Sequence, residues 1–409
     1  MSGGQHGALR VLRQRDFGTY FLGNSLSNIG TWFQNIAAGL LVHELTGSTL
    51  LVGAVNFAQF FGAFALAPLA GAAADRFDRR RLLIVTQVAA ASVGAVLALL
   101  TLTGRVTAAV VVGAAGVLGL ALAFMVPALL ALVPLLVEPD DLDAALSLNS
   151  VTFNLARAVG PVLGALVVER AGYGVAFALN AASFLAFVAA LMVVRPRPQR
   201  RTVGVRPSLF ATVRTVRDQR TWAALLVAVM ALSTTTDPIN TLTPELAREV
   251  FGGSDLDAGL LVAAFGTGAT LTAFTLLGWL RRRRHALVGA MVVQGVGMAL
   301  LAVAPTLPLA MAALAVSGGG FLAGVTRSTV RLQSEVPAEE LGRVMALWSL
   351  AFVGTRPFAA LLDGAVAEVF GARAAALVMA LPVLIGALWV HRVLREDAQT
   401  TGGGRAEAR

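Results

Sequence analysis

Cysteine and lysine are both absent from the 409 residues, and charge of either sign is scarce. Without cysteine there are no disulfides, no thiolate metal sites and no cysteine nucleophile. Without lysine there is no Walker A lysine and no Schiff-base chemistry, so work against a gradient is not driven by a P-loop in this chain. Histidine is rare too. Its four copies, at positions 6, 43, 285 and 391, fall in separate predicted loops and helix ends, so neither a metal nor any other cofactor is expected. Only 13% of residues are charged, against about a quarter in a soluble domain. The composition excludes a large soluble enzyme.

What fills the chain is apolar: 57% of residues are hydrophobic and the mean hydropathy is +0.76. The pattern is plainest around Gly71–Arg81, where Asp75, Arg76, Asp78, Arg79, Arg80 and Arg81 form a knot of charge. Residues 50–70 before it and 82–104 after it carry no charge at all. Runs of about 20 apolar residues cross a bilayer core of roughly 30 Å. The knot is therefore a tight turn between two spanning helices, with its arginines on the cytoplasmic side. The net charge of +9 raises the question of nucleic acid, but the arginines sit in short loops between apolar runs, as orientation signals do. No nucleic-acid partner is expected. The uncharged run 17–42 is too long for a signal-peptide core of about 7–15 residues and reads as a first spanning helix.

Twelve spans follow in order, at about 17–42, 50–74, 83–103, from Val106 to Pro134, 144–168, 175–194, 221–243, 258–280, 286–304, 309–331, 343–367 and 373–394. Residues 195–220 contain eight arginines, one aspartate and several prolines, and mark a boundary. The domains expected are an N-terminal six-helix bundle at 1–194, an Arg/Pro-rich cytoplasmic linker at 195–220, a C-terminal six-helix bundle at 221–394 and a disordered cytoplasmic tail at 395–409. Arg105, Arg170, Arg248 and Arg373 fall on one side, Arg157 and Arg356 fall within spans, and the other 26 arginines lie on or near the other side. That side is cytoplasmic, with both termini on it.

The halves are related. A shift of 199 places Leu142 on Leu341, Ser150 on Ser349, Phe153 on Phe352, Arg157 on Arg356, Glu169 on Glu368 and Gly172 on Gly371. Leucine matches are cheap in such a chain, but an intramembrane arginine with a glutamate and a glycine at fixed spacing is not. Parallel six-helix repeats are the plan of transporters whose bundles rock about a central site.

Gly71-x-x-x-Asp75-Arg76-x-Asp78-Arg79-Arg80-Arg81 resembles motif A of the major facilitator superfamily, with Asp78 where a glycine is usual. Arg157-Ala-Val-Gly160-Pro161-x-x-Gly164 resembles the Gly-Pro motif of its drug-exporting branches, with Ala165 where a second glycine is common. Arg13-Gln-Arg15-Asp-Phe, Asn28-Ile-Gly30-Thr-Trp32-Phe-Gln34 and Gly342-Arg343-Val-Met345 are similar to segments of its drug and siderophore exporters. The likeness runs from about residue 10 to 395. It implies an all-α membrane protein of twelve helices in two six-helix bundles related by pseudo-two-fold symmetry. It further implies a gate in which the Asp75 carboxylate faces the start of the eleventh span, near Arg343, with Gly71, Arg76, Arg79 and Arg80 around it. A carboxylate at a helix N-terminus gains about 0.3–1 kcal/mol. Glu138–Asp143 and Glu335–Glu340 follow arginine turns in each half, and either latch onto Arg79–Arg81 and Arg281–Arg284 or are merely solvated loops.

Charges inside spans cost about 2.5–3.5 kcal/mol and are functional candidates by default. Arg157 and Arg356 either hold an anionic substrate group or fasten helices. Asp237, beside the helix-breaking Pro238, is the first candidate for proton coupling, and Asp363, seven residues from Arg356, is the second. Asn24, Asn28, Thr31 and Asn35 are spaced 4, 3 and 4 apart, one helical face turned from lipid. Gly160, Pro161 and Gly164 mark a helix bend. The expected function is secondary active efflux of small amphiphilic molecules by alternating access, with proton antiport, in a monomer whose partners are substrate, protons and membrane lipid. Export of one anionic metabolite such as a siderophore is the alternative. A membrane scaffold or intramembrane enzyme is remote, because no nucleophile constellation is visible.

Overall fold

The computed structural model describes residues 9–198, 209–236, 238–275 and 286–406, and among these every regular element is helical. The first six long helices are α1 (Arg15–Thr46), α2 (Thr49–Arg76), α3 (Arg79–Leu102), α4 (Ala108–Leu132), α5 (Leu142–Ala171) and α6 (Tyr173–Val193). Their ends follow local chemistry. Gly47, at φ +65°, closes α1, and the Ser48 hydroxyl accepts from the Leu51 N–H at 3.2 Å to open α2. Asp78 caps α3 by accepting from the Arg81 N–H at 2.8 Å. An aspartate in motif A's glycine position thus serves as an N-cap, an interaction worth about 1 kcal/mol.

The chain continues through α7 (Leu209–Asp218), α8 (Arg220–Thr234), α9 (Pro238–Glu245), α10 (Asp255–Thr275), α11 (Ala286–Val303), α12 (Leu307–Glu335), α13 (Ala338–Gly354), α14 (Arg356–Phe370) and α15 (Ala372–Ala406). Several differences from the sequence reading have physical causes. The linker is not featureless: α7 is a strongly amphipathic helix that buries Thr212 and Val216. The seventh span does not stop at Pro244 but runs on as a π-helical segment, Leu246–Val250. Its break lies where Pro238 was expected to put it, between α8 and α9. The eleventh span is two helices, because Pro357 has no N–H to continue the ladder and serves instead in the first turn of α14. The tail expected to be disordered is helical as far as Ala406. Extending an existing helix needs no new nucleus.

Among the described residues eleven stretches are long and apolar enough to cross a membrane. The first helix, α1, is not one of them, although its 32 residues are ample in length. Its polar face lowers its hydropathy, and that face is buried rather than set in lipid: Asn24, Ser27 and Gln34 are each 4% exposed. With α1 the count of spans among the described residues reaches twelve.

Two compact units form, one of Met1–Val203 with Thr243–Ala263, the other of Gly204–Leu242 with Ala264–Arg409. In the first unit Phe17, Tyr20, Leu83, Leu132, Phe187 and Leu191 pack at the end bearing the arginine turn. Val42, Val52, Leu97, Val111 and Phe177 pack at the other end. The second unit relies on close backbone approach between helices: a Cβ at Gly320 would lie 2.5 Å from the Gln294 nitrogen, and one at Gly297 2.6 Å from that of Ser317. The sequence repeat has a backbone counterpart. Gly172 (φ 83°, ψ 166°) and Gly371 (φ 82°, ψ 159°) end α5 and α14 in one conformation, each N–H donating to the carbonyl four residues earlier.

Candidate functional site: a polar helix face and an ion cluster in the first unit

The polar face of α1 divides into two roles. Asn24 donates to Asn149 of α5 at 3.5 Å, and Asn35 accepts from Gln59 of α2 at 3.0 Å. Buried Asn180 of α6 donates to Gln34 at 2.6 Å. Such interhelical bonds in a membrane are worth about 0.6 kcal/mol on average, so they fasten helices. Asn28 donates to the carbonyl and side chain of Asn24, and Thr31 to the carbonyl of Ser27, both within α1. Asn28, Thr31 and Asn35 remain half-exposed. Thr31, Gln34, Asn35, Gln59 and Asn180 line a space of about 10 Å³, room for no more than one water.

Arg157 of α5 stands over the Trp32 ring of α1, with its guanidinium carbon 5.8 Å from the centroid. A cation on an indole face gains about 0.5–2 kcal/mol, which keeps this charge at mid-helix. The Gly-Pro segment beside it makes close contacts on two sides. A Cβ at Gly160 would come within 2.5 Å of the Trp32 Cβ, and one at Gly164 within 2.9 Å of the Phe33 Cα. On the other side Gly259 lies against the Pro161 carbonyl, where a Cβ would stand 2.7 Å from the oxygen. Pro161 is accommodated inside an unbroken α5.

At the end of the first unit away from the arginine turn lies a cluster that the sequence reading missed. Arg248 Nη2 donates to Glu44 Oε2 at 2.9 Å and to the Tyr173 hydroxyl at 3.0 Å, and its Nε donates to Asp255 Oδ1 at 2.8 Å. Tyr173 in turn donates to Glu44 Oε2 at 2.6 Å. His43 Nε2 lies 3.0 Å from Glu249, and the Thr49 hydroxyl donates to buried Glu245 at 2.5 Å. Turn glycines set the frame: Gly47 ends α1 one turn beyond Glu44, and Gly172 puts Tyr173 at the first position of α6. The Asp257 carboxylate accepts from the Ser254 N–H at 2.8 Å just ahead of α10, whose first residue is Asp255.

Glu44 lies beyond the apolar run 17–42. Burial works to raise the Glu44 carboxyl, but the hydrogen bonds from Tyr173 and Arg248 and the Arg248 charge outweigh it and hold Glu44 below the usual carboxylate range. The signal in the sequence was slight: Arg248 is an arginine on the arginine-poor side, and Tyr173 is one of only two tyrosines.

At the arginine-turn end the expected latch pairs do not form as drawn. Arg79 donates to the Ala131 carbonyl at 3.0 Å, and Arg80 to those of Leu191 and Met192 at 2.5 Å each. These carbonyls end helices, have no helical partner and carry partial negative charge, so they attract guanidinium strongly. The acidic loop has other partners: Asp141 is bound by Arg10 and Gln14, and Glu138 by Arg197. Hydrogen bonding from Arg10 is the main cause that holds the Asp141 carboxyl below its ordinary range. In the second half Glu335 pairs with Arg331 of its own helix, and Arg281–Arg284 lie outside the described residues.

The remaining candidates scatter. Gly71 is inside α2, where an added Cβ would meet nothing within 4 Å, and Arg76 is exposed. The Asp75 side chain and the whole of Asp237 lie outside the described residues. Arg343 is half-buried in α13. Arg356 opens α14, and Asp363, two turns on, is completely buried.

Likeness to known proteins agrees with this fold. Residues 6–401 match the family described as transmembrane secretion effector, of the major facilitator superfamily. The macrolide efflux protein A of Streptococcus pyogenes is 22% identical over 369 residues, covering 87% of this chain and 90% of its own length. The enterobactin exporter EntS of Shigella boydii serotype 4 is 27% identical over 365 residues, covering 85% and 84%. Among solved structures, a bacterial homolog of the human lysosomal transporter Spinster superposes with a TM-score of 0.77 at 12% identity, over 94% of this chain and 97% of that one. A twelve-helix membrane chain with an internal repeat, matched by one family over nearly its whole length, is placed by these likenesses: the chain belongs to the transmembrane secretion effector family of the major facilitator superfamily.

Proposed function

We propose that the chain is a secondary active efflux transporter that exports small amphiphilic molecules across the cytoplasmic membrane by alternating access, driven by proton antiport. The observation that carries this reading is the Arg248 cluster. It binds residues 243–263, from the second half of the sequence, into the unit built by the first half, and it does so through side-chain contacts: the Arg248–Glu44 ion pair, the approach of His43 to Glu249 and the hydrogen bond from Thr49 to Glu245. Such contacts can break and re-form in each cycle, as closing and opening one end of a transporter requires. The drug and siderophore export named for the relatives supplies the direction.

In this reading the bundles are 1–194 and 221–394, joined by 195–220, and the arginine-rich side with both termini is cytoplasmic. Asn28, Thr31 and Asn35 offer the substrate their half-exposed polar groups. Asp363, buried in its span, carries the proton with Asp237, and Asp75 with Arg343 closes the cytoplasmic end. A second reading, export of one anionic metabolite, is favoured by Arg157, a cation held at mid-helix over Trp32.

The test is accumulation of a panel of dyes, antibiotics and siderophores in cells with and without the protein, each with and without an uncoupler. Lower accumulation that an uncoupler abolishes is expected. Accumulation that the protein leaves unchanged for every compound would end the export reading, and selective loss of siderophore alone would favour the second.

A further inference from the structure

The second unit carries a groove that transport does not use. It opens between α7, the first turns of α8 and the later turns of α15, and measures about 680 Å³, within the range of small-ligand sites. Its wall is apolar, formed by Val213 of α7, Ala223 and Val227 of α8, and Trp389 of α15. Its rim is basic, formed by Arg217, Arg220 and Arg392. Val213 is 50% exposed and Trp389 42%, so the wall has no cover from the described chain. Val213 and Arg217 are four residues apart on the face of α7 that borders the groove, where Val216 also lines it, and Val216 and Thr212 are buried. Glu396 is the one carboxylate lining the groove among the described residues, and it pairs with Arg220 at 3.5 Å. That pair cancels, leaving the charges of Arg217 and Arg392, neither of which enters an ion pair among the described residues.

We infer that this groove binds an anionic glycerophospholipid of the cytoplasmic leaflet, its phosphate between Arg217 and Arg392 and an acyl chain along Val213, Val227 and Trp389. A soluble anion would satisfy the arginines and leave the apolar wall in water. A lipid covers both. Basic pockets between spanning helices on the cytoplasmic side attract anionic headgroups, each arginine there strengthening binding about fivefold. Trp389 has the amphipathic ring that settles at headgroup level, and α7 has the apolar and arginine-bearing faces of an interfacial helix. An occupied groove would fix α7, and with it the chain between the two halves, against α8 and α15. Only the choice of leaflet depends on the orientation proposed above.

The test uses the full chain in nanodiscs and reads Trp389 fluorescence, with Trp389→Phe giving the background of the other tryptophans. Brominated phosphatidylglycerol is expected to quench it well beyond brominated phosphatidylcholine. The double variant Arg217→Gln/Arg392→Gln should lower that preference about 25-fold, and Arg217→Lys/Arg392→Lys should retain most of it. Equal quenching by the two lipids, or a preference that survives the glutamine variant, would overturn the inference. So would inorganic phosphate displacing phosphatidylglycerol with the same dependence on the arginines, since the site would then be one for a free anion. The leaflet is read separately from Arg214→Cys, the sole thiol in the chain, with a membrane-impermeant maleimide on whole cells. Protection is expected. Labelling from outside would remove the cytoplasmic assignment, while the quenching, in discs with identical leaflets, would still decide the groove.

Discussion

The two ends of the first unit use arginine in opposite ways. At one end Arg79 and Arg80 donate to the carbonyls of Ala131, Leu191 and Met192, backbone acceptors that end α4 and α6. At the other end Arg248 donates to two carboxylates and a phenol. A backbone carbonyl at a helix end cannot turn away without unwinding the helix. A glutamate or tyrosine side chain can rotate. The motif A arginines thus tie α3 to the backbone ends of its neighbours, whereas both sides of the Arg248 contact are side chains that can rotate. Two guanidinium clusters that look alike in a sequence differ in the stiffness of their acceptors.

The sharpest way to break this comparison is Arg248→Ala. It leaves Glu44 and Asp255 facing one another without their cation. Removing one partner of a fully buried pair costs about 3–5 kcal/mol, and the half-exposure of Glu44 reduces that to about 2. With Leu256→Cys as reporter in a chain otherwise free of thiols, labelling should quicken more than tenfold and transport should fall. Labelling at the parental rate would show that the cluster does not anchor 243–263.

A smaller effect is expected of Arg80→Gln, which removes two hydrogen bonds from a charged donor. Part of that energy is recovered by water at an exposed site, leaving a loss of about 1–2 kcal/mol. Thermal stability should drop while labelling at Leu256→Cys stays unchanged. A variant as stable as the parent but altered in labelling would reverse the roles given to the two ends.

The smallest effect concerns pH. Glu44 titrates below its ordinary 4.5 in the folded chain, so its contribution is complete above 4.5 and is lost as pH falls through the lower folded value. Divided by the rate of a small free thiol at the same pH, which removes the titration of the thiol itself, labelling of Leu256→Cys should be flat just above 4.5 and rise on the acid side. Glu44→Gln should flatten the acid limb. An acid limb of the same size in that variant would assign it to another group.

Much of the architecture was legible in order along the chain. Apolar runs of spanning length placed the helices, and the Arg157–Arg356 and Gly172–Gly371 matches disclosed a repeat that returns as one backbone conformation at two glycines. What escaped was local or distant. The break before α14 is written in Pro357, as the one before α9 is in Pro238. The amphipathic face of α7 is masked in the sequence by the arginines and prolines around it. The partners of Asp141 and Glu138 could not be read, since complementary charges in loops have many possible pairings and spacing does not choose among them.

By itself the sequence determined the membrane environment, the number of spans and the family. Each depends on composition and period along one helix, and the bilayer imposes these whatever the helices pack against. Tertiary structure alone decided which arginines meet backbone carbonyls and which meet side chains, that Asn24 and Asn35 are used partly in binding α5 and α2, and that Glu44, Tyr173, Arg248 and Asp255 meet. Those four come from segments up to 211 positions apart. Only the packing that folds 243–263 into the first unit brings them within hydrogen-bonding distance.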